Sequence, residues 1–137
     1  MTDIDREALF DNEALLIGML QAVSGGAIVA GLAQLDVLNR LAGQFSTLIY
    51  FTAAALALLF AVLAAYWKHQ YKKWDLKAAA SRSRAEANEA TARGRKSAFY
   101  LACMRFAMGL SVLFFVLGVA FLIGAFWYQY ATLQRVV

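Results

Sequence analysis

Few residues in this chain can take part in chemistry, and their spacing does not group them into a reactive site. The sequence contains one histidine, His69, and one cysteine, Cys103. A catalytic site needs a nucleophile, a base and a group that orients the base, and the acidic residues here all lie outside the apolar runs. One imidazole and one thiol also fall short of the usual zinc and haem ligand sets. We therefore expect a protein that is not an enzyme, with no catalytic residues, no metal and no cofactor.

Each of these two residues has a plainer interpretation. His69 follows the last residue of an apolar run by two positions and is expected to be solvated at a membrane interface. Cys103 lies close to Arg105, a cation that would favour a reactive thiolate or a palmitoylation site, but a small packed residue is the more common role.

Basic residues form the densest chemical cluster. Segment 68–97 holds nine Lys or Arg against three Asp or Glu, a net charge of +6. Arg93, Arg95 and Lys96, with Arg82 and Arg84, have the chemistry to bind phosphates of lipids, nucleotides or nucleic acid. No Gly-rich phosphate loop accompanies them. The same residues also follow from the rule that cytoplasmic loops are basic, so we expect contact with membrane lipids and no nucleic-acid partner.

The elements that must position these residues are membrane helices. Hydrophobic residues make up 62% of the 137 positions and the mean hydropathy is +0.58. Soluble domains contain about 45–50% apolar residues. A soluble chain of this size could not bury so much apolar surface, and proline, the strongest helix breaker, is absent. We expect an all-α membrane protein that forms one membrane domain.

Three apolar runs predict three transmembrane helices. They follow an acidic segment, 1–13, and cover residues 14–35, 47–67 and 106–126. About 20 helical residues cross a hydrocarbon core of roughly 30 Å. Arg105 would lie at one membrane interface, with Trp127 and Tyr128 as anchors at the other. The first run is the least apolar, and the alternative is a helix that lies partly in the interface and continues residues 2–12.

The distribution of Lys and Arg predicts how the chain is oriented in the membrane. The basic segment 68–97 is expected on the cytoplasmic side, whereas only Arg40 and Arg135 lie on the other. With three spans, the N-terminus is then cytoplasmic and the C-terminus outside. An alanine-rich, cysteine-poor chain is typical of a bacterial inner membrane, which is the location we expect.

The basic segment is expected to be helical. Trp67, Tyr71, Trp74 and Ala78 recur on one helical face. The second and third membrane helices are therefore expected to extend as a cytoplasmic helical hairpin stem with its tip near residues 81–84. Further signals are a capping box at Ser83 and Glu86, a Glu89–Arg93 pair, and Gly94, which either ends a helix or is tolerated within it.

Small residues predict where helices pack. The second span carries one stripe, the third a sparser one at heptad spacing, and the first a mixed Gly/Ala face. The second- and third-span residues are Ala53, Ala57, Ala61 and Ala65, then Ser111, Gly118 and Ala125; the first-span face holds Gly18, Ala22, Gly25 or Gly26, Ala30 and Ala33. Such faces either join the helices of one chain or bind another subunit.

The aromatic stripe Trp67, Tyr71 and Trp74 has two interpretations. It forms the inner aromatic belt, or it docks a partner at the membrane surface, because aromatic residues are common interface anchors. Trp74 lies about 10 Å beyond Trp67 along a helix, which is far for a belt residue.

These observations predict a non-enzymatic accessory, assembly or scaffolding subunit that packs against other membrane subunits or itself. The alternative is a homo-oligomeric pore or membrane-permeabilising effector. Gln21 and Ser24, with the neighbouring glycines, would then line the pore.

Overall fold

The described part of the chain forms four α-helices. The computed structural model describes the backbone of residues 3–83 and 87–134 and the side chains of residues 11–80 and 88–134. The helices are α1 (Asp3–Ala33), α2 (Leu35–Ala42), α3 (Gln44–Ser83) and α4 (Ala87–Gln134). Within the described residues, α1, α3 and α4 are long and apolar enough to cross a membrane. The prediction of an all-α protein with three such helices is confirmed.

The connection between α1 and α3 is itself helical, which the sequence analysis did not predict. The Gln34 N–H donates to the Gly31 carbonyl where α1 ends, and α2 follows at once. Asp36 and Arg40 of α2 are exposed, whereas Ala42 is buried. Gly43 then has a φ of +80°, a conformation that disfavours a Cβ. The Thr47 hydroxyl donates to the Gly43 carbonyl at 3.0 Å and fixes the first turn of α3.

Helices α3 and α4 pair antiparallel along most of their length. Residues late in α4 contact residues early in α3, as Gly118 does with Ala53, and residues early in α4 contact residues late in α3, as Lys96 does with Trp74. Helix α1 packs mainly on α3. Within the described residues, α3 and α4 also continue as helices through the polar residues 68–83 and 87–97.

Packing in the bundle is the reverse of packing in a soluble protein. The buried positions are mostly small: nearly all are Ala, Ser, Thr or Gly. Large apolar side chains such as Leu59, Phe106 and Val116 are exposed. Lipid gives large apolar residues no reason to move inward, so membrane helices associate through small residues that let backbones approach. Exposed apolar surface of this extent would promote aggregation in water.

Candidate functional site

The α3–α4 seam is a closely packed contact between the two longest helices. We use this name for the buried residues Ala53, Ala57 and Ala61 of α3 and Ser111 and Gly118 of α4. Ala57, Ala61 and Ser111 have no exposed surface. Ala65 and Ala125, also predicted at helix contacts, are half-buried. The alanine stripe on α3 therefore packs against the chain's own helices over most of its length.

Two contacts fix the spacing of the seam. The Ser111 Oγ donates a buried hydrogen bond of 2.7 Å to the Ala57 carbonyl. A Cβ placed on Gly118 would lie 2.8 Å from the Ala53 Cβ. Ala53 cannot move its Cβ without moving its helix, so a side chain at position 118 would separate the helices. Nearby, Phe60 and Phe114 stack with ring centroids 5.6 Å apart.

Helix α1 buries one face against α3. Ile17, Ser24 and Gly31, spaced seven residues apart, are all buried. The Tyr50 hydroxyl donates to the Ala27 carbonyl at 3.3 Å, and a Cβ on Gly31 would lie 2.9 Å from the Phe51 ring. The Ser24 Oγ is buried with no hydrogen-bond partner among the described residues. Gly31 thus leaves room for the Phe51 ring of α3, a side chain that can shift, whereas Gly118 of α4 leaves room for the Ala53 Cβ, which cannot.

The opposite face of α1 is open. We call Gly18, Ala22, Gly26 and Ala30 the outer face of α1; all four are exposed. Among the described residues, no neighbouring atom lies within 4 Å of a Cβ built on Gly18 or Gly26. Four-residue steps advance by about 40° around a helix, so the centre of this face lies about 180° from Ser24. One small-residue face of α1 is packed within the chain and the other is not.

Charged residues from all three long helices meet at one level. The Arg105 guanidinium of α4 donates to the Glu13 carboxylate of α1 at 3.4 Å. Lys68 of α3 lies within the electrostatic influence of Glu13 and Asp11. The pKa of the Lys68 ammonium is lowered, because the effect of partial burial exceeds that of the two carboxylates, which raise it. The predicted inner ends of the three apolar runs are therefore adjacent in the fold.

At the other end, the predicted interface anchors point outward. Trp127 and Tyr128 are both exposed, and Trp127 makes an edge contact with Tyr130 at 6.3 Å between ring centroids. Gly43, which ends α2, lies beside Gln129 of α4. From Phe106 to Phe126, α4 rises about 30 Å, which matches the thickness of a hydrocarbon core.

The aromatic stripe of α3 lies against the rest of the helix bundle. Trp67 is half-buried and packs against the cluster that includes Ile17, Ala64 and Met104. Tyr71 and Trp74 are half-buried too, and Ala78, next on the same face, is buried. The stripe therefore lies on the same face of α3 that packs through alanines in the apolar run, and it continues that face into the polar region.

Trp74 forms part of a surface pocket between α3 and α4. We define the Trp74 pocket by the residues that line a volume of about 330 Å³, which are Trp74, Glu89, Ala92, Arg93 and Lys96. The ammonium groups of Lys77 and Lys96 lie 4.9 and 4.7 Å from the Trp74 ring centroid. Arg93 and Glu89 form the predicted i, i+4 ion pair, which is confirmed. Gly94 is tolerated within α4.

The remaining predicted residues stay apart. His69 is exposed and Cys103 is a half-buried free thiol. No three His, Cys, Asp or Glu side chains within the described residues group closely enough to hold a metal ion. The side chains of Arg82, Arg84, Ser83 and Glu86, and hence the proposed capping box, lie outside the described residues.

Sequence reasoning missed several contacting residues. Tyr50, Gly31 and Gly43 lie inside or between apolar runs, where nothing in the local pattern singles them out. The seven-residue spacing of Ile17, Ser24 and Gly31 is the signal that could have identified the packed face of α1.

Comparison of the chain with family models, with curated proteins and with solved structures found no match.

Proposed function

We propose that this protein is a non-enzymatic membrane subunit that uses the outer face of α1 to pack laterally against another membrane subunit. Its role would be accessory, assembly or scaffolding. The single observation that supports this proposal is that the outer face carries small residues and is open, whereas the comparable stripe on α3 is already occupied.

Contact with lipid does not favour glycine at the surface of a helix. Acyl chains pack equally well against large apolar residues, so a lipid-facing helix surface gains nothing from glycine. Glycine also costs about 0.5–1 kcal/mol relative to alanine inside a helix. Gly18 and Gly26 with Ala22 and Ala30 lower the surface of α1 enough for another helix backbone to approach. An incoming transmembrane helix is therefore the partner that this face fits.

The alternative, a homo-oligomeric pore lined by α1, has less support. Ser24 is buried against the rest of the chain and Gln21 is half-buried. Ser24 and Gln21 thus lie wholly or partly within the bundle. The glycines and alanines of the outer face have exposed Leu15, Met19 and Val29 beside them, which are apolar. We retain the pore as the outcome that the experiment below must exclude.

The proposed topology follows from charge. The basic segment 68–97 would be cytoplasmic, with the polar ends of α3 and α4 as a hairpin stem, the N-terminus inside and the C-terminus outside. The Glu13–Arg105 contact supports a common inner level for α1 and α4. A bacterial inner membrane is the membrane that we propose for it.

The test is the mass and composition of the particle extracted gently from its native membrane. We expect a heteromeric complex that contains one or two copies of this chain. Gly26→Leu, alone or with Gly18→Leu, should release the partner, because a large side chain prevents close approach. Gly109→Leu is the matched control, since Gly109 of α4 is also exposed with nothing near its Cβ position among the described residues.

Each outcome decides the matter. Loss of the partner in the α1 variants, with the control intact, supports lateral packing through the outer face. A ring of four or more copies and no other subunit would overturn the proposal and favour the pore. Retention of the partner in Gly18→Leu/Gly26→Leu would assign the contact to another surface.

A further inference from the structure

The polar end of the α3–α4 hairpin has a pocket whose chemistry differs from that of the membrane surfaces. The Trp74 pocket combines one aromatic ring, an ammonium and a guanidinium in about 330 Å³. This volume is at the low end of the roughly 300–1,000 Å³ found for small-molecule sites. The pocket therefore suits a small anion or one anionic group of a larger molecule.

Lys96 is the residue best placed to meet an anion. Its ammonium lies 4.7 Å from the Trp74 ring centroid, a cation–π contact that limits the freedom of a long side chain. No carboxylate lies within ion-pair distance of Lys96 among the described residues. A second ammonium, from Lys77, lies 4.9 Å from the same ring. The Lys96 ammonium is therefore held against an aromatic ring, with no acid paired to it among the described residues.

Arg93 supplies the geometry that an oxyanion requires. A guanidinium presents several N–H donors in a plane and can bind two oxygens of one phosphate. Glu89 pairs with Arg93 and is the one acid that lines the pocket among the residues whose side chains are described. The ion pair orients the guanidinium on its helix, but its carboxylate also repels an incoming anion.

We propose that the Trp74 pocket binds a phosphate group through Lys96 and Arg93. Phosphate carries the charge and the oxygen acceptors that this donor pair satisfies, and Trp74 forms the adjoining wall. The site is independent of the outer face of α1 and of the lateral contact proposed for it.

The distance of the pocket from the membrane indicates whether the phosphate belongs to a lipid or to a soluble compound. Lys96 lies ten residues before Phe106, which corresponds to about 15 Å along a helix. The headgroup layer on each side of a membrane is only about 5–8 Å thick. The pocket therefore faces the aqueous phase beyond the headgroups, which favours a soluble phosphate compound over a membrane lipid.

The experiment uses Trp74 as its own reporter. The full-length Trp67→Phe/Trp127→Phe protein, with Trp74 as its remaining tryptophan, is placed in nanodiscs of phosphatidylcholine. Inorganic pyrophosphate is titrated while the emission of Trp74 is followed. A second arm replaces part of the lipid with phosphatidylglycerol and adds no pyrophosphate. We expect a saturable change in the pyrophosphate arm.

Three single-charge variants identify the site. Lys96→Gln should weaken pyrophosphate binding by about tenfold, as expected for loss of a charge-assisted contact. Glu89→Gln should strengthen binding, because it removes the repelling carboxylate. Arg95→Gln is the matched control: Arg95 is exposed on the same helix and does not line the pocket. Circular dichroism of each variant verifies that the helices are intact.

The outcomes separate the explanations. A response in the pyrophosphate arm that depends on Lys96 and not on Arg95 supports a site for soluble phosphate. A response only to phosphatidylglycerol, with the same dependence, supports the phosphate site and assigns it to lipid. No response in either arm, or equal weakening by Lys96→Gln and Arg95→Gln, would overturn the proposal, since general attraction to a basic helix would then explain the binding.

Discussion

Glu13 of α1 and Arg105 of α4 form a hydrogen-bonded ion pair of 3.4 Å, although 92 positions separate them in the sequence. Each residue borders an apolar run, Glu13 before the first and Arg105 before the third. Their contact places the inner ends of these two runs at the same level. Arg105 is largely exposed, whereas the Glu13 side chain is mostly buried.

This pair should contribute modestly to the docking of α1. Glu13→Gln and Arg105→Gln are each expected to lower stability, and, because Arg105 is largely exposed to solvent, a double-mutant cycle should give a coupling of about 0.2–1 kcal/mol. Added salt should reduce the coupling. Thermal unfolding in detergent measures it. Full additivity of the two substitutions at low salt would mean that the pair contributes no stability.

Gly118 should be essential for the approach of α3 and α4. Gly118→Ala places a Cβ 2.8 Å from that of Ala53, and overpacking of this kind costs about 1–3 kcal/mol. Alanine offsets about 1 kcal/mol of this through its better helix propensity. We expect a net destabilisation, measured as a lower midpoint of unfolding in a denaturing-detergent titration.

Gly124→Ala, on the same helix, should not lower stability as Gly118→Ala does. No neighbouring atom lies within 4 Å of a Cβ at Gly124 among the described residues, so only the helix propensity changes. Unchanged or slightly increased stability is expected. If the two alanine substitutions behaved alike, the close contact at Gly118 would be disproved.

Ser111→Ala should test the polar contact within the seam. The substitution removes the hydrogen bond to the Ala57 carbonyl and leaves no buried donor unpaired. Interhelical hydrogen bonds in membrane proteins contribute about 0.6 kcal/mol on average, and a loss of this size is expected in the same detergent titration. Thr52→Ala is the control, because the exposed Thr52 hydroxyl bonds within its own helix. An equal effect at both positions would rule out a special contribution from Ser111.

The proposed topology can be tested by cysteine labelling in a Cys103→Ala background. Lys72 and Leu133 are both exposed, one on each predicted side. A membrane-impermeant maleimide added to intact cells should label Leu133→Cys but not Lys72→Cys. Inverted membrane vesicles should give the reverse pattern. Labelling of both positions from the same side would contradict a membrane crossing by α4 between them.

Much of the helical architecture was predictable because the signals are local. An uncharged run such as 47–67 identifies a span from its own residues, and a Glu89–Arg93 pair needs only i, i+4 spacing. The turn at Gly43 and the helix α2 were not predicted. An eight-residue helix is too short to be stable by itself, although the polar and apolar residues of α2 are well separated on its surface, and it is stabilised here by packing on α3 and α4.

Only the tertiary structure decided which small-residue face packs within the chain. The alanine stripe of α3 and the Gly/Ala face of α1 both consist of small residues, so the sequence allows either to pack within the chain. Folding resolves the choice, because a helix that packs through Ser24 and Gly31 must turn Gly18 and Gly26 away. The aromatic stripe was similarly ambiguous, since Trp74 suits a membrane belt, a partner or the facing helix equally well.

The sequence by itself determined that the chain is helical and that three of its segments are apolar enough to lie in lipid. The length of an apolar run and the distribution of charge are properties of the residues in that run. The tertiary structure decided which faces meet, and so brought Glu13 to Arg105 and Lys96 to Trp74. Such contacts depend on the axial offset and rotation of helices relative to one another. Those quantities are set by close packing at a few positions, Gly118 and Gly31 among them, whose importance is visible only once the neighbouring helix is in place.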